Sequence, residues 1–301
     1  MYSNMKLGKN APKQDYRTLR LCNYLNWATL PAVPVSVNYY DKVSSFPVYL
    51  NDQIGDCGPA GLGHEVQVWT ANAGKEVKVT DNDVLKLYEA VSGYIPGRPN
   101  TDVGINILDM LRYVQKNGLA GHKIGPYCQL DITNINEFKL GTYLFGGVAI
   151  GVALPKAAQS LQIWDNPTGS TRGGWAPGSW GGHYVPIVGY DGSYYYVVTW
   201  GQVMKMTPLF LKLYCDEAWT IFTPDWISGG KAPNGFDIVA LNLDLQDISN
   251  QTPIGPPIQP PVNPPVNPPV DPPVNPPSVG TGDMSLNIDG KVTQWRVSKL
   301  D

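Results

Sequence analysis

From Pro260 the chain reads "PPVNPPVNPPVDPPVNPP", a four-residue repeat that no helix or sheet interior can hold. Residues 253–277 carry 13 of the 28 prolines. With φ fixed and few backbone donors, such a stretch favours extended polyproline II, a spacer of roughly 75 Å at about 3.1 Å per residue. The repeat divides the 301 residues into a long part holding the core, a Pro-rich linker over 251–280 and a short tail over 281–301. In that tail, two alternating runs flank Asp289-Gly290, a strong hairpin signal. A lone hairpin is marginal in water, so the tail is either loosely ordered or completed by a protein partner.

The part before the linker can bury a sizeable core, since 43% of the chain is hydrophobic and only 16% is charged. Formal net charge is −3 and no block of Lys or Arg offers a track for phosphates, which argues against nucleic acid as a partner. No apolar run approaches the length of a membrane span, and no signal peptide is visible at the N-terminus. The cytoplasm, a virion and release by lysis all remain open as locations. Cys22, Cys57, Cys128 and Cys215 are widely spaced, with no Cys-x-x-Cys and no His-x-x-x-His, so no metal site or cofactor is expected and the thiols should be free.

Three zones precede the linker. Residues 1–45 form an irregular leader that packs across the domain, with one short possible helix near "DYRTLRLCNYL". The domain proper spans 46–250. Its first half is helical. "CGPAGLGHEVQVWTANAG" has Pro59 early and Gly74 as a stop; "DNDVLKLYEAVSG" follows behind an Asp cap; "GINILDMLRYVQKNG" carries a broad apolar face and ends in Asn-Gly. The period then changes. "GGVAIGVALP" has strand length, "HYVPIVGYDGSYYYVVTWG" is two strands joined around Asp191-Gly192, and "DEAWTIFTPDW" and "FDIVALNL" are further strands. The fold class is α+β. Between the second-half strands lies Trp164 to Gly182, a long Gly/Pro/Trp-rich loop of the kind that usually carries function.

Cys57 sits where the first helix begins, so the macrodipole and unpaired N–H groups should lower its thiol pKa. A thiolate nucleophile needs an acid/base partner, and the chain offers three histidines. His64 lies seven residues along the same helix, about 10 Å by rise, and reads as packing or surface. His122, in "GLAGHKIG", reads as a surface turn residue. His183 opens an apolar strand behind two glycines, 126 residues after Cys57.

This order of a helix-starting cysteine, a Gly-containing loop before a helix, an apolar strand and then "HYVPIVGY" ending at "TWG" resembles the papain-like cysteine peptidases over roughly residues 45–225. The Gly-Asp-Cys turn with "VVTWG" also looks like uncharacterised papain-like proteins of bacteria and bacteriophages. The resemblance implies a helical half with the catalytic Cys57 at a helix N-terminus, and an antiparallel sheet or barrel half carrying His183.

Three positions depart from the family pattern. The family's oxyanion Gln lies six residues before the cysteine, where this chain has Asn51; its own Gln53 lies four before, and either amide is a candidate donor, Gln53 being favoured. The family's His-orienting Asn falls on Val198, which cannot hydrogen-bond, leaving Thr199 or Gln202 as substitutes, or a dyad shielded by Trp200. Third, "DCGPAGL" looks more like the start of the bacteriocin-leader peptidases, yet the Asp which that branch places after the histidine strand has no counterpart here. The family's substrate wall maps to Gly104, and Trp175 and Trp180 are candidates to stack on substrate.

The expected function is hydrolysis of peptide bonds through a Cys57 thioester with His183 as acid/base, acting on a peptide or protein. The alternatives are an amidase, peptidoglycan cross-link hydrolase or acyltransferase using the same dyad, and an inactive papain-like binding or structural module, for example in a virion. The leader is a candidate to occupy the cleft.

Overall fold

The computed structural model describes residues 2–23, 32–226 and 232–234, together with the strand backbones of 283–288 and 291–296. The chain divides into two compact units, Met1–Thr252 and Pro253–Asp301.

In the first unit, helix α1 (Cys57–Asn72) is buried at every position except Ala71. A helix enclosed on all sides needs no polar face, which is why its sequence shows little amphipathic contrast. Helix α2 (Asp81–Ser92) begins with a capping box: the Thr80 hydroxyl accepts the Asp83 N–H, and the Asp83 carboxylate accepts the Thr80 N–H. The cap is therefore Thr80, one residue before the aspartate expected to serve, because Thr80 takes the extended backbone that a cap requires. Helix α3 (Ile107–Asn117) packs Ile107, Leu108, Met110, Leu111 and Val114 into the core.

Helices α4 (Ile135–Phe145) and α5 (Pro208–Tyr214) were not expected from the sequence. The second is seven residues long, too short for a period, although Thr207 and Pro208 are an ordinary cap and first-turn pair. In the leader, the expected helix is reduced among the described residues to a 3-10 turn, Leu21–Asn23. Asp15 diverts the chain upstream by accepting the Arg17 N–H, closing a turn in place of a helical bond.

The sheet has eight strands among the described residues. They are β1 (Val37–Asn38), β2 (Tyr127–Gln129), β3 (Val148–Leu154), β4 (Ile163–Trp164), β5 (Gly181–Tyr190), β6 (Tyr195–Thr199), β7 (Gln202–Met206) and β8 (Cys215–Ile221). Their order is β2-β8-β3-β5-β6-β7-β4, with β1 also on β5. All pairings are antiparallel except β4 with β7. The β5–β6 turn is closed by Asp191, whose Oδ1 accepts the Ser193 and Tyr194 N–H groups. The β6–β7 hairpin turns on Trp200 and Gly201, both at positive φ (47° and 76°), the backbone that a two-residue turn demands.

In the second unit, β9 (Asp283–Ile288) and β10 (Lys291–Arg296) pair antiparallel, with Ile288 opposite Lys291. The turn expected at Asp289-Gly290 lies outside the described residues. The polyproline segment and the strand expected at 236–243 lie outside the described residues.

Candidate active site

Three elements converge on one small cavity. Cys57 is the first residue of α1, His183 the third of β5, and Thr199 the last of β6. The cavity is lined by Asn51, Cys57, His64, His183, Thr199 and Trp200, among others. Helix α1 packs against β5, so the Tyr184 N–H, next in the chain after His183, lies 3.5 Å from the Cys57 sulfur.

Strand alternation decides which residue meets the histidine. Val198 borders the cavity but packs into an apolar cluster with Val68 and Val188 and has no polar side-chain atom to offer the ring. Thr199, one step on, faces inward, and its Oγ1 lies 2.7 Å from His183 Nε2. The positive φ of Trp200 then folds its indole back over the imidazole, with centroids 4.7 Å apart and planes 22° apart. Trp164 meets the same ring edge-on at 6.4 Å. The other ring nitrogen, Nδ1, is buried with no hydrogen-bond partner among the described residues.

Of the other residues singled out in the sequence, Asn51 is buried, lines the cavity and donates to the Ile54 carbonyl, whereas Gln53 is exposed on the turn. Gln202 is directed elsewhere, donating to the Tyr2 hydroxyl. Trp180 is half-buried against Trp200, and the Trp175 carbonyl accepts the Tyr214 hydroxyl. His64 bonds the Pro47 carbonyl and is a packing residue that also lines the cavity. His122 is half-buried rather than free on the surface, because Asp225 accepts its Nδ1 at 2.9 Å. All four cysteines are free thiols. Among the described residues no group of His, Cys, Asp or Glu is arranged to hold a metal, and no helix is long and apolar enough to cross a membrane.

The leader lies over this site. The Ile105 N–H donates to the Gly8 carbonyl at 2.6 Å, and the Asn10 N–H donates to the Ile105 carbonyl at 2.8 Å. On the opposite wall the Lys9 N–H donates to the Gly182 carbonyl, one residue before His183, at 3.0 Å. Lys6 adds a bond to the Asn51 carbonyl, and Tyr2 stacks on Trp200 with centroids 5.1 Å apart. The strip runs parallel to the Ile105 segment and turns the Gly8 N–H towards the Cys57 sulfur. Nothing in the sequence of residues 6–10 signals this placement, because the bonds are made by backbone.

Burial beneath the strip sets the protonation of the pair. Desolvation pushes the Cys57 thiol up to about 12, outweighing the opposing pull of the Tyr184 and Gly8 N–H groups. This runs against the expectation that the helix start favours the thiolate: Cys57 is only 1% exposed, and the loss of water is the largest influence on its thiol. Burial likewise lowers His183 to about 3. The covered pair is therefore a neutral thiol beside a neutral imidazole. Asp56, which precedes Cys57 at the N-cap position of α1 without a side-chain cap bond, is raised to about 8 by the same loss of water.

No family model matches the sequence, and no curated protein matches it. Solved structures do. Xylellain, a cysteine protease from Xylella fastidiosa, is similar at 18% identity and TM-score 0.57, over 74% of this chain and 98% of that one. A digestive procathepsin L 3 of Tenebrio molitor larval midgut is similar at 15% identity and TM-score 0.51, over 73% and 77%. The likeness is one of fold: this chain has the papain-like α+β fold.

Proposed function

We propose that this chain is a cysteine peptidase held latent by its own N-terminal strip. The observation that carries the reading is the relay from Thr199 through His183 to the cavity shared with Cys57, roofed by a strip of extended backbone bonded to both walls. A groove that binds one extended peptide through backbone N–H and carbonyl groups suits another.

In this reading His183 Nε2–H donates to Thr199 Oγ1, which leaves the Nδ1 lone pair to take the Cys57 proton. The sulfur attacks the carbonyl carbon of the scissile bond. The oxyanion is held by the Cys57 backbone N–H and the Asn51 amide, which is buried in the cavity as Gln53 is not. The imidazolium then protonates the leaving amine, giving the acyl-enzyme thioester and a free amino terminus. Water, deprotonated by His183, attacks the thioester, and collapse releases the carboxylic acid and restores the thiol. Trp200 keeps bulk water off the imidazole.

The test is labelling with a peptidyl epoxide near neutral pH, before and after the exposed stretch at residues 11–14 is cut by limited proteolysis. Selective modification of Cys57 after cutting, lost in His183→Ala, is the expected result. Equal, slow labelling of Cys22 and the other thiols would leave a papain-like fold used for binding.

A further inference from the structure

Lys9 does more than bond the groove through its backbone. Its side chain enters a recess between β3 and β8, where Nζ lies 2.7 Å from both Asp216 carboxylate oxygens and 3.1 Å from Glu217 Oε1. The Lys9 side chain is 1% exposed and that of Glu217 is 0% exposed. Neighbouring residues of a regular strand face opposite sides, so two adjacent carboxylates should not meet one ammonium. Here the ladder slips: Gly151 pairs with Glu217 and Val152 with Cys215, leaving Asp216 as an extra residue in a bulge. The bulge turns both carboxylates into one recess.

Space for the occupant comes from Gly151, where a Cβ would overlap the Lys9 Cε. The other Glu217 oxygen already accepts the Trp219 indole N–H at 2.9 Å, which fixes the carboxyl and leaves Oε1 for a cation. A buried carboxylate without a partner is costly, so the recess calls for a positive group whenever the strip is gone.

Resting on the peptidase reading, we infer that the Gly151–Asp216–Glu217 recess is the specificity pocket of the groove, selecting a lysine or arginine side chain of the bound peptide, with Lys9 as its resident occupant. The hydrogen bonds of the strip to the groove walls are made by backbone, and at Gly8 the groove admits no side chain. This recess is where a side chain is read by charge.

The test uses the full chain with a specific protease site inserted between Lys13 and Gln14, cut in place. With Cys57→Ala, binding of a labelled peptide of residues 4–12 is measured by fluorescence anisotropy, with Lys, Arg, norleucine or Glu at the position of Lys9. Lys and Arg peptides should bind at least about tenfold tighter than norleucine, and Glu should not compete. Glu217→Gln should narrow the gap between Lys and norleucine; if that variant fails to fold, the peptide series still decides. Equal affinity for Lys and norleucine overturns the pocket.

With Cys57 intact, the cut chain is given a mixed peptide library. Hydrolysis with no preference for a basic side chain overturns the pocket and keeps the peptidase. Charge-selective binding without any hydrolysis keeps the pocket's charge reading and overturns the peptidase.

Discussion

Gly8 of the leader and Gly104 of the groove wall meet backbone to backbone: a Cβ on Gly104 would overlap the Gly8 carbonyl oxygen, and one on Gly8 would overlap the Gly55 carbonyl. Gly104 also holds φ +73°, which an L side chain rarely adopts. The two sites separate groove and leader genetically. Gly8→Val should expel the strip while leaving the groove intact, raising alkylation of Cys57 by iodoacetamide on the order of tenfold or more, each factor of ten being about 1.4 kcal/mol. Gly104→Val should also cost thermal stability. Unchanged alkylation in Gly8→Val would mean that the strip does not shield the sulfur.

Thr199→Val removes the hydroxyl that fixes His183 while nearly keeping shape. Leaving that buried ring nitrogen unpaired costs about 1–3 kcal/mol, so turnover of the leader-cleaved chain should fall roughly ten- to a hundredfold. Thr199→Ser should retain most of it. Steady-state rates, set beside melting temperatures to exclude unfolding, check the order Thr, Ser, Val. Gln202→Ala should leave the rate unchanged, because that amide binds Tyr2 and not the imidazole.

The protonation of the covered site is itself measurable. With Cys57 near 12, the full chain should show no thiolate absorbance at 240 nm from this residue between pH 5 and 9. After the leader is cut and removed, water re-enters, the desolvation falls away and the thiol should ionise within that window. A thiolate already present in the uncut chain would contradict the burial argument.

Stability should fall as pH rises from 6.5 to 8. Asp56 and Glu65 are both raised to about 8 by burial, Glu65 while accepting the Tyr184 hydroxyl at 2.5 Å. In that window the folded chain keeps protons that the unfolded chain has released, so unfolding free energy drops by up to about 1.4 kcal/mol per pH unit for each group. Glu65→Gln should remove roughly half of the slope in urea denaturation. His64 and His183, lowered by burial to about 4 and about 3, act in the opposite direction. They cost stability below pH 6.5, where the unfolded chain takes up their protons.

Truncation after Thr252 removes the second compact unit and should leave the melting temperature of the first within about 1 °C, well under the shift that 1 kcal/mol gives in a domain of this size. Calorimetry of both chains checks it.

The parts legible in the sequence are those whose signal is local. The helix beginning at Cys57, the hairpin closed by Asp191, and the strands through His183 and Ala218 each follow from period and turn chemistry within a dozen residues. Thr199 was reachable as one of three alternatives, and strand alternation from His183's partner strand separates it from Val198. The leader's course across the domain was expected, but the register that brings Gly8 to the groove and the recess at Asp216 and Glu217 were not legible. The first is held by backbone groups that every residue carries, and the second exists through a bulge that shifts one carboxylate across the strand.

The strip that fills the groove is part of the same chain, so it competes with any incoming peptide at a local concentration on the order of millimolar. That concentration does not change when the protein is diluted. The fraction of chains with the groove covered is thus set within each molecule and not by how many molecules share the volume. The moment of opening belongs to whatever cuts or pulls the first dozen residues.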